Sequence, residues 1–220
     1  MVVKKLFTSY LCNQEDELVQ IILNKWKKLN PDFDILYFSD EDIKKFFENS
    51  EYNNSYKKLK NGVAIADFFR ICYINKEGGY WFDIDLEPFK VNIPNEGNIH
   101  LFDCGFKNIS YMFIGGESNQ LYTDVIDQVI ININNNYKEK KDHIISITGP
   151  FVIQDIICNK LGIERKNGNL PGNLKSEKFL VNTPYEFMYT AIKVTNVKTD
   201  IYKRLQNKYN KLDYQKYDFI

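Results

Sequence analysis

Along the first half of the chain, short apolar runs typical of strands alternate with segments whose apolar residues recur at helical spacing. Short apolar runs typical of strands occur at VVKKLFTSYL, FDILYFS and YWFDIDLEPF. Between them, residues 15–30 carry apolar side chains at helical spacing, and Gly62–Glu77 is apolar at nearly every position. The polar stretch EYNNSYKKLKN predicts a loop. Strands that alternate with helices predict an α/β fold with a mainly parallel central sheet.

The second half of the chain continues this alternation. IHLFDC and YMFIGG predict short strands, and residues 120–137 place apolar side chains on one helical face. A turn at Gly149-Pro150 precedes a further helix, FLVNTPYEFMY contains a short strand, and the tail from Thr199 is helical with a thin apolar stripe. We expect one domain over residues 1–198 and a helical tail over 199–220 that packs on it. Because lysines lie beside the apolar stripe, the alternative is that this helix contacts a membrane surface instead of packing on the domain.

Composition and charge narrow the class of protein. Lys plus Arg and Asp plus Glu each number 29 among 220 residues, so the chain lacks the basic excess of a general nucleic-acid binder. The sequence has no run of 18 apolar residues and no CxxC pair. It therefore predicts no transmembrane segment, no structural zinc and reduced cysteines. No secretory signal is evident, so we expect a cytoplasmic protein, peripheral at a membrane if the tail binds one.

Two charged residues lie inside the apolar helix of Gly62–Glu77. Asp67 and Arg70 are three positions apart, which puts both on one helical face. A buried carboxylate and guanidinium are costly unless they pair with each other or line a polar cleft. The sequence leaves both interpretations open.

A second polar pair follows the aromatic residues of YWFDIDLEPF. In an extended strand Asp83 and Asp85 point the same way, and two like charges so placed raise each other's pKa. Exposure to water, a shared proton or a bound cation would each relieve this repulsion. Carboxylate oxygens suit Mg²⁺ or Mn²⁺, and open α/β sheets bind ligands at the carboxyl ends of their strands. A DxD motif alone is a weak signal, and a solvated acidic strand end is the alternative.

The combined stretch AIADFFRICYINKEGGYWFDIDLEPFK is more specific. It resembles the signature of a family of DXD-containing sugar transferases that includes mannosyltransferases, capsular polysaccharide glycosyltransferases and, distantly, clostridial toxin glucosyltransferases. That signature has an Asp and an Arg three apart on a helix, then Gly-Gly, an aromatic residue and the DxD. Further landmarks occur in the family order: WKKLNPDFDILYFSDEDI, the TGP of Thr148–Pro150, and PYEFMY. The resemblance covers residues 3–190.

The resemblance implies a GT-A fold and a metal-dependent, retaining transfer of a hexose. The donor would be a nucleotide sugar, with UDP-sugar favoured over GDP-sugar, and the acceptor a carbohydrate or a glycoprotein. Asp83 and Asp85 would bind Mn²⁺ or Mg²⁺, which compensates the charge of the leaving diphosphate. Asp67 and Arg70 would hold hydroxyls of the donor sugar. Since no carboxylate is evident as a covalent nucleophile, a front-face return of the acceptor fits better than double displacement.

The resemblance also implies a nucleoside site at the first strand. Tyr10 falls where the family usually has a Trp that stacks on the nucleobase, and an aromatic ring there keeps a π face. A plain strand-end aromatic residue is the alternative. Thr8 is a further expected contact to the nucleotide, and Trp81 would lie beside the sugar.

One departure from the family keeps other functions open. Relatives end the domain with a His shortly before Ser-Trp, whereas neither His100 nor His143 lies there, and the third metal ligand is undefined. Asn182 and Asn196 are guesses for it. The first alternative is therefore a nucleotide-sugar or glycan-binding protein with a degraded site. A haloacid-dehalogenase-type phosphatase is disfavoured, because Glu87 stands where that class has Thr or Val.

Overall fold

The computed structural model describes residues 3–10, 14–93, 99–103, 108–135, 144–162, 164, 178–179, 187–191 and 200–209. Within these ranges the strands are β1 Lys5–Ser9, β2 Asp34–Phe38, β3 Gly79–Phe82, β4 Ile99–Asp103, β5 Ser110–Gly116, β6 Lys178–Phe179 and β7 Phe187–Ala191. The helices there are α1 Glu17–Leu29, α2 Asp40–Glu48, α3 Asn53–Tyr56, α4 Gly62–Glu77, α5 Gln120–Asn135, α6 Ile144–Ile147, α7 Pro150–Leu161 and α8 Asp200–Tyr209.

The described strands form one seven-stranded sheet in the order β2-β1-β3-β5-β4-β7-β6. Strand β1 pairs in parallel with β2 and β3, and β4 pairs in parallel with β7. Only β5 and β6 run against their neighbours. Five of the seven strands therefore point the same way, which confirms the predicted mainly parallel α/β sheet. The carboxyl ends of β2, β1 and β3 lie side by side at one edge.

Successive strand residues bury their side chains on opposite faces of this sheet, as a pleated strand requires. Leu6 and Phe82 pack with the cluster of α1 and α8, whereas Phe7 and Trp81 pack with the cluster of α4, α5 and α7. Both faces are thus covered by helices, as expected when parallel strands are buried on two sides. On α8, Leu205 is fully buried in the first cluster.

Helix α4 delivers the chain directly into β3. Asn61 caps its first turn by accepting from the backbone N–H groups of Val63 and Ala64, and Gly78 ends it with φ of 67°. Gly79 follows with φ of 116°, where a Cβ would lie 3.2 Å from the carbonyl oxygen of Lys5. Glycine is needed at this position because a side-chain residue would be strained there and would crowd β1.

The structure corrects the expected strand through residues 80–89. Strand β3 ends at Phe82, and Asp83 still donates its N–H to the carbonyl of Met112 at 2.8 Å. The N–H of Leu86 then donates to the carbonyl of Asp83 at 2.9 Å, which closes a turn. The DxD pair therefore lies on a turn, and the expectation that alternation along a strand aligns its two carboxylates is wrong.

One smaller expectation also changes. The stretch EYNNSYKKLKN contains the short helix α3 instead of an irregular loop. None of the described helices is long and apolar enough to cross a membrane. Cys72 and Cys158 are buried free thiols. Cys12, Cys104 and His143 lie outside the described residues.

Candidate active site

A cleft of about 390 Å³ opens at the shared carboxyl edge of β1 and β3. Its walls come from the ends of these strands, the turn after β3, the starts of α2 and α4, and one residue each of α3 and α8. The lining residues are Ser9, Tyr10, Asp40, Ile43, Tyr56, Asn61, Gly62, Val63, Ile65, Ala66, Arg70, Trp81, Asp83, Ile84, Asp85 and Tyr202. A ligand site at this edge is what an open α/β sheet predicts.

Arg70 organises the floor of this cleft from the middle of α4. Its guanidinium pairs with a carboxylate oxygen of Asp67 at 3.1 Å and with one of Asp83 at 3.1 Å. It also donates to the carbonyl of Tyr111 at 2.6 Å and lies 4.3 Å from the ring centroid of Trp81. Because Arg70 is only 5 % exposed, these contacts compensate a charge that would otherwise be costly to bury.

Asp67 lies beneath Arg70 and does not itself line the cleft. Burial raises the pKa of this carboxyl to about 6, and the charge of Arg70 opposes the rise without cancelling it. The Thr148 hydroxyl lies 3.5 Å from the second carboxylate oxygen, and a Cβ on Gly149 would lie 3.2 Å from that oxygen. The TGP landmark therefore forms the back of the Asp67 pocket. No residue spacing in the sequence indicates this contact.

Asp83 is fixed by two donors from different elements. One carboxylate oxygen accepts from the indole N–H of Trp81 at 2.7 Å and from Arg70 at 3.1 Å. The sequence left open whether Asp67 and Arg70 form an internal ion pair or line a polar cleft. The structure shows both, because the two side chains pair with each other and Arg70 also lines the cleft. Neutralisation of Asp83 by Arg70 is a fourth way to relieve the DxD repulsion. Sequence spacing alone did not suggest this contact.

The donor set at the DxD turn fits a hard divalent ion bound together with phosphate. Asp85 is half-buried and lines the cleft beside Asp83. Among the described residues, no group of three His, Cys, Asp or Glu side chains could hold a metal. Mg²⁺-type ions are commonly held by one or two carboxylates plus substrate phosphates and water, so two aspartates suffice. Asn182 and Asn196, the guessed further ligands, lie outside the described residues.

Of the three residues expected near the nucleotide and its sugar, two line the cleft and one does not. Tyr10 lines the cleft but is only 8 % exposed, and its ring meets that of Tyr202 edge to face at a centroid distance of 6.1 Å. Trp81 also lines the cleft. Thr8 is fully buried in β1 and the structure does not bring it to the cleft, whereas the next residue, Ser9, does line it.

Asp40 and Tyr202 are among the cleft residues that the sequence did not predict. Asp40 follows the carboxyl end of β2, and that position next to a predicted strand was an available signal. Tyr202 comes from α8, and no local pattern links it to Tyr10. His100 is buried beside Tyr80, with 2.8 Å between the phenol oxygen and Nδ1, and does not line the cleft.

The fold and the cleft define an α/β protein with a DXD turn at the carboxyl ends of parallel strands, consistent with the GT-A fold. Residues 16–99 match the sequence family described as the glycosyltransferase sugar-binding region containing DXD motif. These residues include Asp67, Arg70, Asp83 and Asp85. The resemblance to DXD-containing sugar transferases is therefore confirmed.

One solved structure shows the same fold over most of the chain. The protein named PaToxG Glycosyltransferase is 16 % identical, with a TM-score of 0.50, and the match covers 73 % of this chain and 70 % of that one. No curated protein matches the sequence. The family match supports glycosyltransferase activity, and the solved structure supports the fold.

Proposed function

We propose that the protein transfers a hexose from a nucleotide-sugar donor to a carbohydrate or glycoprotein acceptor, with retention of anomeric configuration and with Mn²⁺ or Mg²⁺ bound. UDP-sugar is the favoured donor and GDP-sugar the second choice. The observation that carries the proposal is the DXD turn at the cleft, where Arg70 ties Asp83 to the buried helix. The free thiols of Cys72 and Cys158 are compatible with a cytoplasmic setting.

Asp83 and Asp85 would hold the ion between the turn and the donor diphosphate. A bound dication supplies Lewis-acid charge compensation for the phosphates as they leave. Arg70 and Trp81 keep the Asp83 carboxylate in a single orientation, so its position needs no reorganisation when a donor binds. Asp67 in turn holds Arg70 in place. In the proposal, Arg70 lies at the sugar end of the site, and Asp67, which does not line the cleft, acts only by positioning Arg70.

The carboxylates along the cleft favour front-face retention over double displacement. Asp40, Asp83 and Asp85 are the carboxylates among the described lining residues. Two of them would bind the ion, and Asp40 lies across β1 at the carboxyl end of β2. No carboxylate of the described lining is therefore left beside the sugar as a covalent nucleophile. Catalysis would depend on positioning and on charge stabilisation.

The acceptor would enter between α3 and α4. Tyr56, Asn61 and Val63 line this side of the cleft, and Val63 is 49 % exposed. An aromatic ring with an amide side chain nearby is a surface that can contact sugar rings and hydroxyls. The stretch EYNNSYKKLKN, which the sequence predicted to be a loop, thus supplies part of the proposed acceptor wall.

Hydrolysis of a UDP-sugar with Mn²⁺ tests the proposed function. We expect Asp85→Asn to lower the Mn²⁺-dependent rate at least about a hundredfold, the scale of losing a major electrostatic group, with thermal unfolding unchanged. Asp32→Asn is the matched control, because Asp32 is exposed, outside the cleft, and loses the same charge. Full activity of Asp85→Asn, or of the wild type under chelation, would contradict the proposal.

Two further outcomes identify the alternatives. Nucleotide-sugar binding without any turnover would indicate a binding protein with a degraded site, the function that the unassigned third metal ligand keeps open. Phosphate release from a simple phosphate ester, with no requirement for a nucleotide sugar, would indicate a phosphatase.

A further inference from the structure

The end of α1 packs against the segment that follows the DxD turn. Trp26 lies in the last turn of this helix, and Asn30 is its C-cap residue. Trp26 is fully buried and Asn30 is only 3 % exposed. Both belong to the landmark WKKLNPDFDILYFSDEDI, and neither lines the cleft. An amide buried this deeply has to be satisfied by hydrogen bonds.

Asn30 uses both ends of its amide to hold the chain beyond the turn. Its Nδ2 donates to the carbonyl of Phe89 at 2.9 Å, and its Oδ1 accepts from the backbone N–H of Val91 at 2.7 Å. Nδ2 also donates to the carbonyl of Trp26 at 3.1 Å, which ties the amide to the helix. Buried backbone groups need partners, and Asn30 supplies them here as a neighbouring strand would.

Trp26 contacts the chain on both sides of the DxD turn. Its ring centroid lies 4.2 Å from that of Phe82, the last residue of β3, and 5.1 Å from that of Phe89. Phe82 directly precedes Asp83, and Phe89 follows Asp85 by four positions. One buried side chain therefore packs against the two ends of the stretch that carries both aspartates.

The two aspartates depend on this support to different degrees. Asp83 is held directly by Arg70 and by the indole N–H of Trp81. The backbone of Asp85, in contrast, lies between the turn bond from Leu86 to Asp83 and the anchor at Phe89. Groups behind the ligands of a metal commonly change its affinity by about 10- to 100-fold, because they set the ligand positions.

We propose that Trp26 and Asn30 are positioning residues that fix the DxD turn in the geometry its divalent ion requires. This inference rests on the proposed function and deepens it. Neither residue touches the ion or the nucleotide, and both act through the backbone on either side of Asp83 and Asp85. The WKKLN part of the landmark and the DxD motif are then one structural unit, although about 50 positions of sequence separate them.

The Mn²⁺ requirement of UDP binding tests this role. In calorimetric titrations at fixed UDP, we expect Asn30→Ala to raise the half-saturating Mn²⁺ concentration about tenfold, the lower end of the effect of such supporting groups. Val19→Ala is the matched control, since Val19 is fully buried on the same helix and in the same cluster but has no polar side-chain atom. It should lower the free energy of unfolding and keep the wild-type Mn²⁺ requirement.

Hydrogen exchange of the ligand-free protein gives a second readout. Because Asn30→Ala removes the acceptor of the Val91 N–H, that amide should exchange faster than in the wild type or in Val19→Ala. If Asn30→Ala does not fold, Phe89→Ala replaces it. Phe89 is half-buried, so its loss should leave the fold intact, weaken the contact with Trp26 and raise the Mn²⁺ requirement in the same direction.

The outcomes separate this inference from the proposed function. An unchanged Mn²⁺ requirement in folded Asn30→Ala, even with faster exchange at Val91, would show a purely structural role and overturn the inference. The same result in Phe89→Ala, if only that variant folds, would also overturn it, as would an equal rise in Val19→Ala. Each of these results leaves the proposed transferase intact. If the wild type binds no UDP in the presence of Mn²⁺, both proposals are overturned.

Discussion

Arg70 connects the buried part of helix α4 to the DxD turn at the cleft. It bridges Asp67 below and Asp83 above, and both distances are 3.1 Å. The i, i+3 spacing of Asp67 and Arg70 was readable from the sequence because helix geometry brings such residues together. The contact to Asp83 was not, because it depends on how tightly the chain turns between α4 and β3. The same limit applies to Asp40, whose place at the cleft depends on the order of the strands.

The raised pKa of Asp67 predicts a pH-dependent stability. Its folded pKa is about 6 against an ordinary 3.8, so between these values the folded state binds more protons than the unfolded chain. The contribution of Asp67 to stability is therefore greatest below this window and falls as the pH rises through it, by roughly 2–3 kcal/mol in all. Urea unfolding of metal-free protein between pH 4 and pH 7 would measure this loss as a falling free energy of unfolding.

Two variants separate Asp67 from the other acids. The loss should be largely absent in Asp67→Asn, whose side chain cannot ionise, and retained in Asp32→Asn. If the wild type and Asp67→Asn show the same pH dependence, the assignment of the shifted pKa to Asp67 is wrong.

At the scale of elements, the turn between α6 and α7 buttresses the site. Gly149 is the N-cap of α7, and Pro150 at the first helical position suits a helix start because it lacks only an N–H that would be unpaired anyway. The sequence correctly placed this turn and helix from the Gly-Pro signal. The turn packs against Asp67, which lies 81 positions before Thr148 in the chain. Local sequence patterns do not predict such a tertiary contact.

We expect Gly149→Ala to destabilise the fold. The added Cβ would lie 2.7 Å from the Cα of Ile145 and 3.2 Å from the Asp67 carboxylate, so the turn must shift. Overpacking of this kind costs about 1–3 kcal/mol. Urea unfolding provides the measurement, with Gly62→Ala as the control because nothing lies within 4 Å of a Cβ there. Equal stability of both variants would mean that the turn accommodates the methyl group and does not brace Asp67.

Element boundaries show where sequence periodicity fails. The helical spacing of α1 and α5 survived in the structure because each buries one apolar face. The expected strand through residues 80–89 was too long, since apolar side chains continue past Phe82 into a turn. Ile84 is buried within the turn, and Leu86 is buried in an isolated β-bridge after it. Burial alone therefore did not distinguish a strand from a packed turn.

At the scale of the whole molecule, the parallel strands gather residues from distant parts of the chain at one edge. Alternating strands and helices predicted this architecture, and the five strands that share a direction confirm it. The entry of α8 into the cleft through Tyr202 was not predictable from periodicity. Tyr202 meets Tyr10 across 192 positions, and the ion pair between Lys208 and Asp16 also holds α8 against the start of α1.

The central claim is that the DxD turn holds a divalent ion together with the diphosphate of a nucleotide. Thermal unfolding with saturating UDP, with and without Mn²⁺, tests it most directly. At a hundredfold excess over Kd, binding adds about 2.7 kcal/mol, which should raise the Tm by roughly 5–10 °C for a chain of this size. We expect this rise only with Mn²⁺ present, and we expect it to be absent in Asp85→Asn. An equal rise without the metal, or in Asp85→Asn, would contradict it.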